Sequence, residues 1–84
     1  MTKTLFVVTD TKYDEPEIFF NAFDVYNFIK GSLLEYGERY GFEEEEIKEA
    51  LEEMKESYNN GEFDFFAGYL GERQMCCYRK VIRL

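Results

Sequence analysis

Two stretches of the chain repeat apolar residues at helical spacing, and four others are dense enough in β-branched and aromatic residues to read as strands. From Glu43 to Tyr58 (EEEEIKEALEEMKESY), Ile47, Ala50, Leu51, Met54 and Tyr58 fall at i, i+3, i+4, i+7 and i+11, the stripe of a helix with one buried face. Phe42 and Ile47 stand at hydrophobic-staple positions around Glu43, with Glu46 at the capping-box position. Asn59, Asn60 and Gly61 suit a left-handed C-terminal cap, so the helix should end there. An earlier helix is predicted from Asp24, an N-cap type flanked by Phe23 and Phe28 as a staple. Val25, Phe28, Ile29, Leu33, Tyr36 and Tyr40 keep its spacing up to Gly41, which is expected to end it as a left-handed cap. Gly31 and Gly37 weaken this helix, and Gly31 is expected to admit a close neighbour.

The extended stretches flank these helices. Thr4 to Thr9, with LFVV at its centre, predicts a buried strand, and Glu17 to Phe23 (EIFFNAF) predicts a second, antiparallel to the first. Between them DTKYDEP carries the only proline and reads as an exposed connection. Glu62 to Leu70 predicts a third strand, Gly71-Glu72 a tight reversal, and Gln74 to Leu84 the returning fourth. Lys80 interrupts the apolar face of that last strand, so part of it should be a sheet edge. The order β-β-α-α-β-β predicts one α+β domain spanning residues 1–84, a two-layer sandwich with an antiparallel sheet covered on one face by two helices. Nine phenylalanines and seven tyrosines are more than one small core encloses. The uncovered sheet face should therefore show aromatic surface suited to a partner or a homodimer.

Charge changes this picture. Eighteen acidic and ten basic residues give a net charge of −8, which opposes direct binding to nucleic acid or to an anionic membrane. The imbalance is uneven: residues 1–72 hold all eighteen acids and six bases, whereas residues 73–84 hold four bases. A basic last strand laid on an acidic body would tie the chain's ends together. Along the second helix Glu45, Glu49, Glu52, Glu53 and Glu56 oppose the apolar stripe, and only Lys48 and Lys55 offset its eight glutamates. Sixteen helical residues span about 24 Å, so the glutamates fall roughly one per 3 Å, close to the spacing of about 3.4 Å between phosphates along one DNA strand. The same residues also suit a solvated face, since glutamates favour a helix N-terminus and Glu44 can pair with Lys48 at i,i+4.

Catalytic chemistry finds little footing. The chain has no histidine, which excludes Ser-His and Cys-His pairs and histidine-ligated zinc. Cys76 and Cys77 are adjacent; in a strand they point to opposite faces and read as small hydrophobes rather than a disulfide or a redox motif. No phosphate loop, dinucleotide fingerprint or calcium loop is present, so no cofactor and no metal is expected. A small carboxylate enzyme would need a cleft for which the architecture leaves little room. The opening apolar run, Leu5 to Val8, is too short for a secretory signal or a membrane span, and a reducing cytoplasmic setting is expected.

What remains is recognition. The expected function is that of a non-enzymatic inhibitor presenting carboxylates to the basic surface of a larger nucleic-acid-binding protein. Its charged face is Glu45, Glu49, Glu52, Glu53 and Glu56, with Asp10, Asp14, Glu15 and Glu17 as a second acidic cluster and Tyr13 and Tyr26 as aromatic anchors. The alternative is a protein–protein adaptor or homodimer working through the aromatic sheet face. In size, acidity and lack of catalytic equipment the whole chain resembles the small anti-defence proteins of phages and mobile elements, of the anti-CRISPR and anti-restriction type. That resemblance implies a stoichiometric inhibitor acting in the host cytoplasm, on a Cas nuclease or a similar enzyme.

Overall fold

The computed structural model describes residues 1–12, 14–61 and 65–84. Strands β1 (Thr2–Asp10) and β2 (Glu17–Phe19) precede helices α1 (Ala22–Arg39) and α2 (Glu44–Asn59), and strands β3 (Phe65–Leu70) and β4 (Arg73–Arg83) follow. The sheet is antiparallel with spatial order β2-β1-β4-β3, and both helices pack on one of its faces. The first and last long strands thus lie side by side at its centre, paired from Thr2↔Arg83 to Asp10↔Met75. The predicted two-layer α+β architecture is the one observed.

Alternation along the strands places Phe6 and Val8 of β1, Leu70 of β3 and Met75 and Cys77 of β4 under the helices. Val25, Ile29 and Leu33 of α1 and Ile47, Ala50 and Met54 of α2 close over them. Cys76 faces the other way, and both thiols are free, as their adjacency in a strand requires.

Several boundaries differ from expectation. β2 stops at Phe19 rather than reaching Phe23, and α1 is capped by Asn21, not Asp24. Asn21 Oδ1 accepts from the Asp24 backbone N–H at 2.8 Å, while Asn21 Nδ2 donates to Asp24 Oδ2 at 2.9 Å. This reciprocal pair satisfies an orphan helix donor earlier than Asp24 alone could, so the helix starts sooner. Phe23, assigned to a staple, is exposed in consequence. α2 begins as predicted, with Glu43 at its cap but no side-chain cap hydrogen bond. Residues 62–64, the predicted start of the third strand, lie outside the described residues.

Close approach of the helices falls at Gly37 rather than Gly31. A Cβ added at Gly31 would meet nothing within 4 Å, whereas one at Gly37 would lie 2.6 Å from Ile47 Cγ1. The α1–α2 connection then turns through Gly41 (φ 70°), with the Phe42 N–H returning to the Gly37 carbonyl at 2.9 Å, the longer bond of a Schellman cap. Phe42 lies against Gly71, where an added Cβ would sit 2.6 Å from the ring's Cζ. Gly71 (φ 60°) opens the two-residue β3–β4 hairpin, and Glu72 keeps a negative φ, the geometry of a type II′ turn. The helix connection and this hairpin therefore occupy the same end of the molecule.

β4 is an inner strand, but only over part of its length. Among the described residues β3 pairs with it no further than Tyr78, while β1 accompanies it to Arg83. Among the described residues Lys80 to Arg83 pair with β1 alone; residues 62–64, which precede β3, lie outside the described residues, and with them the edge predicted at Lys80. Arg73 binds the acidic body directly, and Arg79 to Arg83 are exposed, on both faces of the strand.

Candidate acidic docking surface

The apolar stripe of α2 sets the direction of everything else on that helix. With Ile47, Ala50 and Met54 buried, Glu45, Glu49, Glu52, Glu53 and Glu56 stand on the far side, and all five are exposed. Among the described residues none of them, and neither Glu44 nor Lys48, takes part in an ion pair. The expected i,i+4 neutralisation of Glu44 by Lys48 is therefore not formed, and the negative face stands uncompensated.

The two flanks of α2 are unlike. Tyr58 stacks on Tyr26 of α1, ring centroids 4.7 Å apart, so the flank turned to α1 is the one that carries Leu51, Tyr58, Lys48 and Lys55. On the opposite flank Glu46, Glu49 and Glu53 border a shallow groove of about 280 Å³ shared with Phe42, Tyr69, Leu70 and Gly71. Carboxylates and the half-buried Phe42 meet here, at a place the sequence did not single out, while the Tyr69 side chain turns to the other sheet face, where Gln74 Nε2 donates to its hydroxyl at 3.5 Å. Phe42 was legible as a staple residue, but its seat against Gly71 depends on the β3–β4 hairpin.

The second acidic cluster does not join this face. Asp10 is not displayed at all: its carboxylate accepts from Arg73 NH2 at 2.6 Å and Arg73 Nε at 3.2 Å, with the two side chains 9% and 7% exposed. Arg73 NH1 also donates to the Ser32 carbonyl of α1 at 3.2 Å, and its guanidinium lies 5.3 Å from the Tyr36 ring centroid. Burial by itself would raise the Asp10 carboxyl. The Arg73 hydrogen bond, the Lys12 backbone N–H and the charges of Arg73 and Lys12 outweigh it and hold the group below its ordinary 3.8. Asp10 therefore fastens β1 to β4 and α1 and is withdrawn from the candidate surface.

Asp14, Glu15 and Glu17 are exposed, but Glu15 and Glu17 lie beside α1, across the helical layer from the α2–β3 flank. Glu15 and Glu17 line a cavity of about 310 Å³ together with Glu35, Lys12, Arg39 and the buried Arg73. Cations and carboxylates alternate there, so this region is electrostatically mixed. Tyr26, half-buried in its stack on Tyr58 and approached by Lys30 Nζ at 5.8 Å, is helix-packing surface more than a free anchor. Tyr13 lies outside the described residues.

No cluster of three metal-ligating side chains occurs among the described residues, and no described helix is long and apolar enough to cross a membrane. The surface this fold assembles is one of charge and shape: a straight row of carboxylates on α2, edged by an aromatic groove. Comparison with models of known protein families, with curated proteins and with solved structures yields no match for the chain.

Proposed function

We propose that the chain is a non-enzymatic inhibitor that sets the acidic face of α2 into a cationic, nucleic-acid-binding groove of a larger protein and so competes with the polynucleotide. The reading rests on one observation: Glu45, Glu49, Glu52, Glu53 and Glu56 stand exposed on one helix face with no ion-pair partner among the described residues. Their desolvation needs an opposing set of cations, which a phosphate-binding groove supplies. Phe42, which shares the groove with Glu49 and Glu53, offers the apolar contact on which affinity usually concentrates. A host-defence nuclease is the partner implied by the resemblance to anti-defence proteins, and it would place the protein in the host cytoplasm.

The test is capture of a partner on immobilised protein in the presence and absence of duplex DNA. Release of a nucleic-acid-binding protein by DNA, by moderate salt, and by Glu49→Lys/Glu52→Lys/Glu56→Lys supports the proposal. Undiminished capture by the triple variant rejects it.

A second reading is favoured by the open face of the sheet. Ile18, Val7 and Tyr78 form a row across β2, β1 and β4, with Ile18 55% and Tyr78 42% exposed. Association through this row, as in an adaptor or a homodimer, would be insensitive to salt, which separates it from the electrostatic reading.

A further inference from the structure

Beyond Phe6 the described part of the sheet narrows to a ribbon. Thr2 to Leu5 pair with Lys80 to Arg83, β2 reaches only Phe6, and β3 reaches only Tyr78 among the described residues. Thr2, Thr4, Val81 and Arg83 point to the side that carries the helices further along, yet all four are exposed, so no helix covers them. Lys3, Lys80 and Ile82, on the other side, are exposed as well. These eight paired residues include three cations, Lys3, Lys80 and Arg83, and no carboxylate side chain.

The opposite pole is acidic. Phe42 packs on the Gly71 hairpin, which lies at the far end of β4 from Arg83, so α2 begins there with Glu44, Glu45 and Glu46 in its first turn. The molecule is 46 Å long and 28 Å across. The backbone ladder holds the cationic ribbon away from the acidic start of α2, and among the described residues no ion pair joins the ribbon to α2 within one copy.

We infer that the ribbon of one molecule docks on the acidic face of α2 of a second copy of this chain, setting Lys3, Lys80 and Arg83 against Glu45, Glu49, Glu52 and Glu56. Charge complementarity selects this occupant. Side-by-side pairing of two ribbons would bring like charges together, the arrangement that lysines on sheet edges prevent. Ribbon-on-helix contact joins different surfaces, is therefore heterologous, and leaves each added copy with an acidic face for the next. The inference rests on the reading that this face accepts a cationic surface, and adds that the protein's own ribbon competes for it. Self-association would then mask the inhibitory face at high concentration.

Sedimentation velocity of the pure protein tests this at concentrations from about 5 to 500 μM, in buffers of about 0.02 M and 0.5 M salt, where screening differs strongly. The expected result is a weight-average mass that at least doubles with concentration in low salt and stays monomeric in high salt. Lys80→Glu/Arg83→Glu should be monomeric throughout, and so should Glu49→Lys/Glu52→Lys/Glu56→Lys. Mixing the two variants should restore association, because each then offers what the other lacks. A wild-type protein that stays monomeric in low salt overturns the inference, as does association that survives either reversal or a mixture that stays monomeric. Binding of labelled duplex DNA by monomeric wild-type protein, lost in Lys80→Glu/Arg83→Glu, would overturn it in favour of a polynucleotide. Partner capture by the ribbon variant should be unchanged, so loss of self-association and loss of the inhibitory reading are told apart.

Discussion

Arg73 and Asp10 stand 63 residues apart in sequence and form a bidentate ion pair whose shorter contact is 2.6 Å, with both side chains at least nine-tenths buried. The pair joins the two central strands, and a third bond from Arg73 to Ser32 ties them to α1. Removing either partner leaves the other's buried charge without its counter-ion. Asp10→Ala or Arg73→Ala should each cost about 3 kcal/mol, while Asp10→Leu/Arg73→Met should cost clearly less than either single change. Urea midpoints of the three variants measure this; equal losses in all three would show that packing, not charge, dominates the site.

The same pair gives stability a defined acid limb. Because the Asp10 carboxyl is held below its ordinary 3.8, the unfolded chain binds its proton first as pH falls. The contribution is therefore complete above about pH 4 and is lost as pH drops through the lowered value. Melting curves of the wild type and Asp10→Asn should be fully separated above about pH 4 and converge only once pH has fallen through the lowered Asp10 value. A constant separation from neutral pH down to the acid limit would exclude the linkage.

The two glycines inside α1 should respond to alanine with opposite signs. Gly31 is exposed with open space around it, so Gly31→Ala should stabilise by about 0.5–1 kcal/mol through helix propensity and a less free unfolded chain. Gly37 is buried, and an added methyl would lie 2.6 Å from Ile47 Cγ1 and 3.1 Å from Leu70 Cδ2. Gly37→Ala should destabilise by about 1–3 kcal/mol despite the same gain in propensity. Thermal melts of both variants decide it, and a shift of the same sign in the two would show that the helix contact relaxes freely.

These glycines also show what could be read from the residues alone. Val25, Ile29, Leu33 and Gly37 form an unbroken i+4 series, and all four are buried, so the close approach was legible had the stripe been extended one turn. The α2 stripe was read correctly because its apolar and charged positions separate cleanly. The end of β2 was not: EIFFNAF stays apolar past Phe19, and only the Asn21–Asp24 reciprocal cap shows where extended chain gives way to helix. Asp10 illustrates a harder limit. Its charge was visible, but its withdrawal from the surface depends on Arg73, brought beside it by the β1–β4 register. The separation of the two acidic clusters likewise follows from sheet order, with β2 at one edge and β3 at the other, which no local pattern encodes.

Cys77 provides the last prediction. It is buried beneath the helices, and burial, with a smaller contribution from neighbouring Cys76, pushes its thiol up to about 11. The thiolate is the nucleophile, so at pH 8 only about one molecule in a thousand carries the reactive form, and that form is enclosed. A Cys76→Ser variant, which leaves Cys77 as the remaining thiol, should resist iodoacetamide under native conditions and react fully in denaturant. Alkaline stability follows from the same shift. Above pH 9.0, the ordinary value, the unfolded chain releases the proton that the folded chain retains, so stability should fall as pH rises toward about 11. In Cys77→Ala this slope should be shallower than in wild type, whatever the variant loses in packing. Native labelling at the rate of a free thiol would mean that the sheet opens locally at β4, and the alkaline slope would then report that opening instead of the buried thiol.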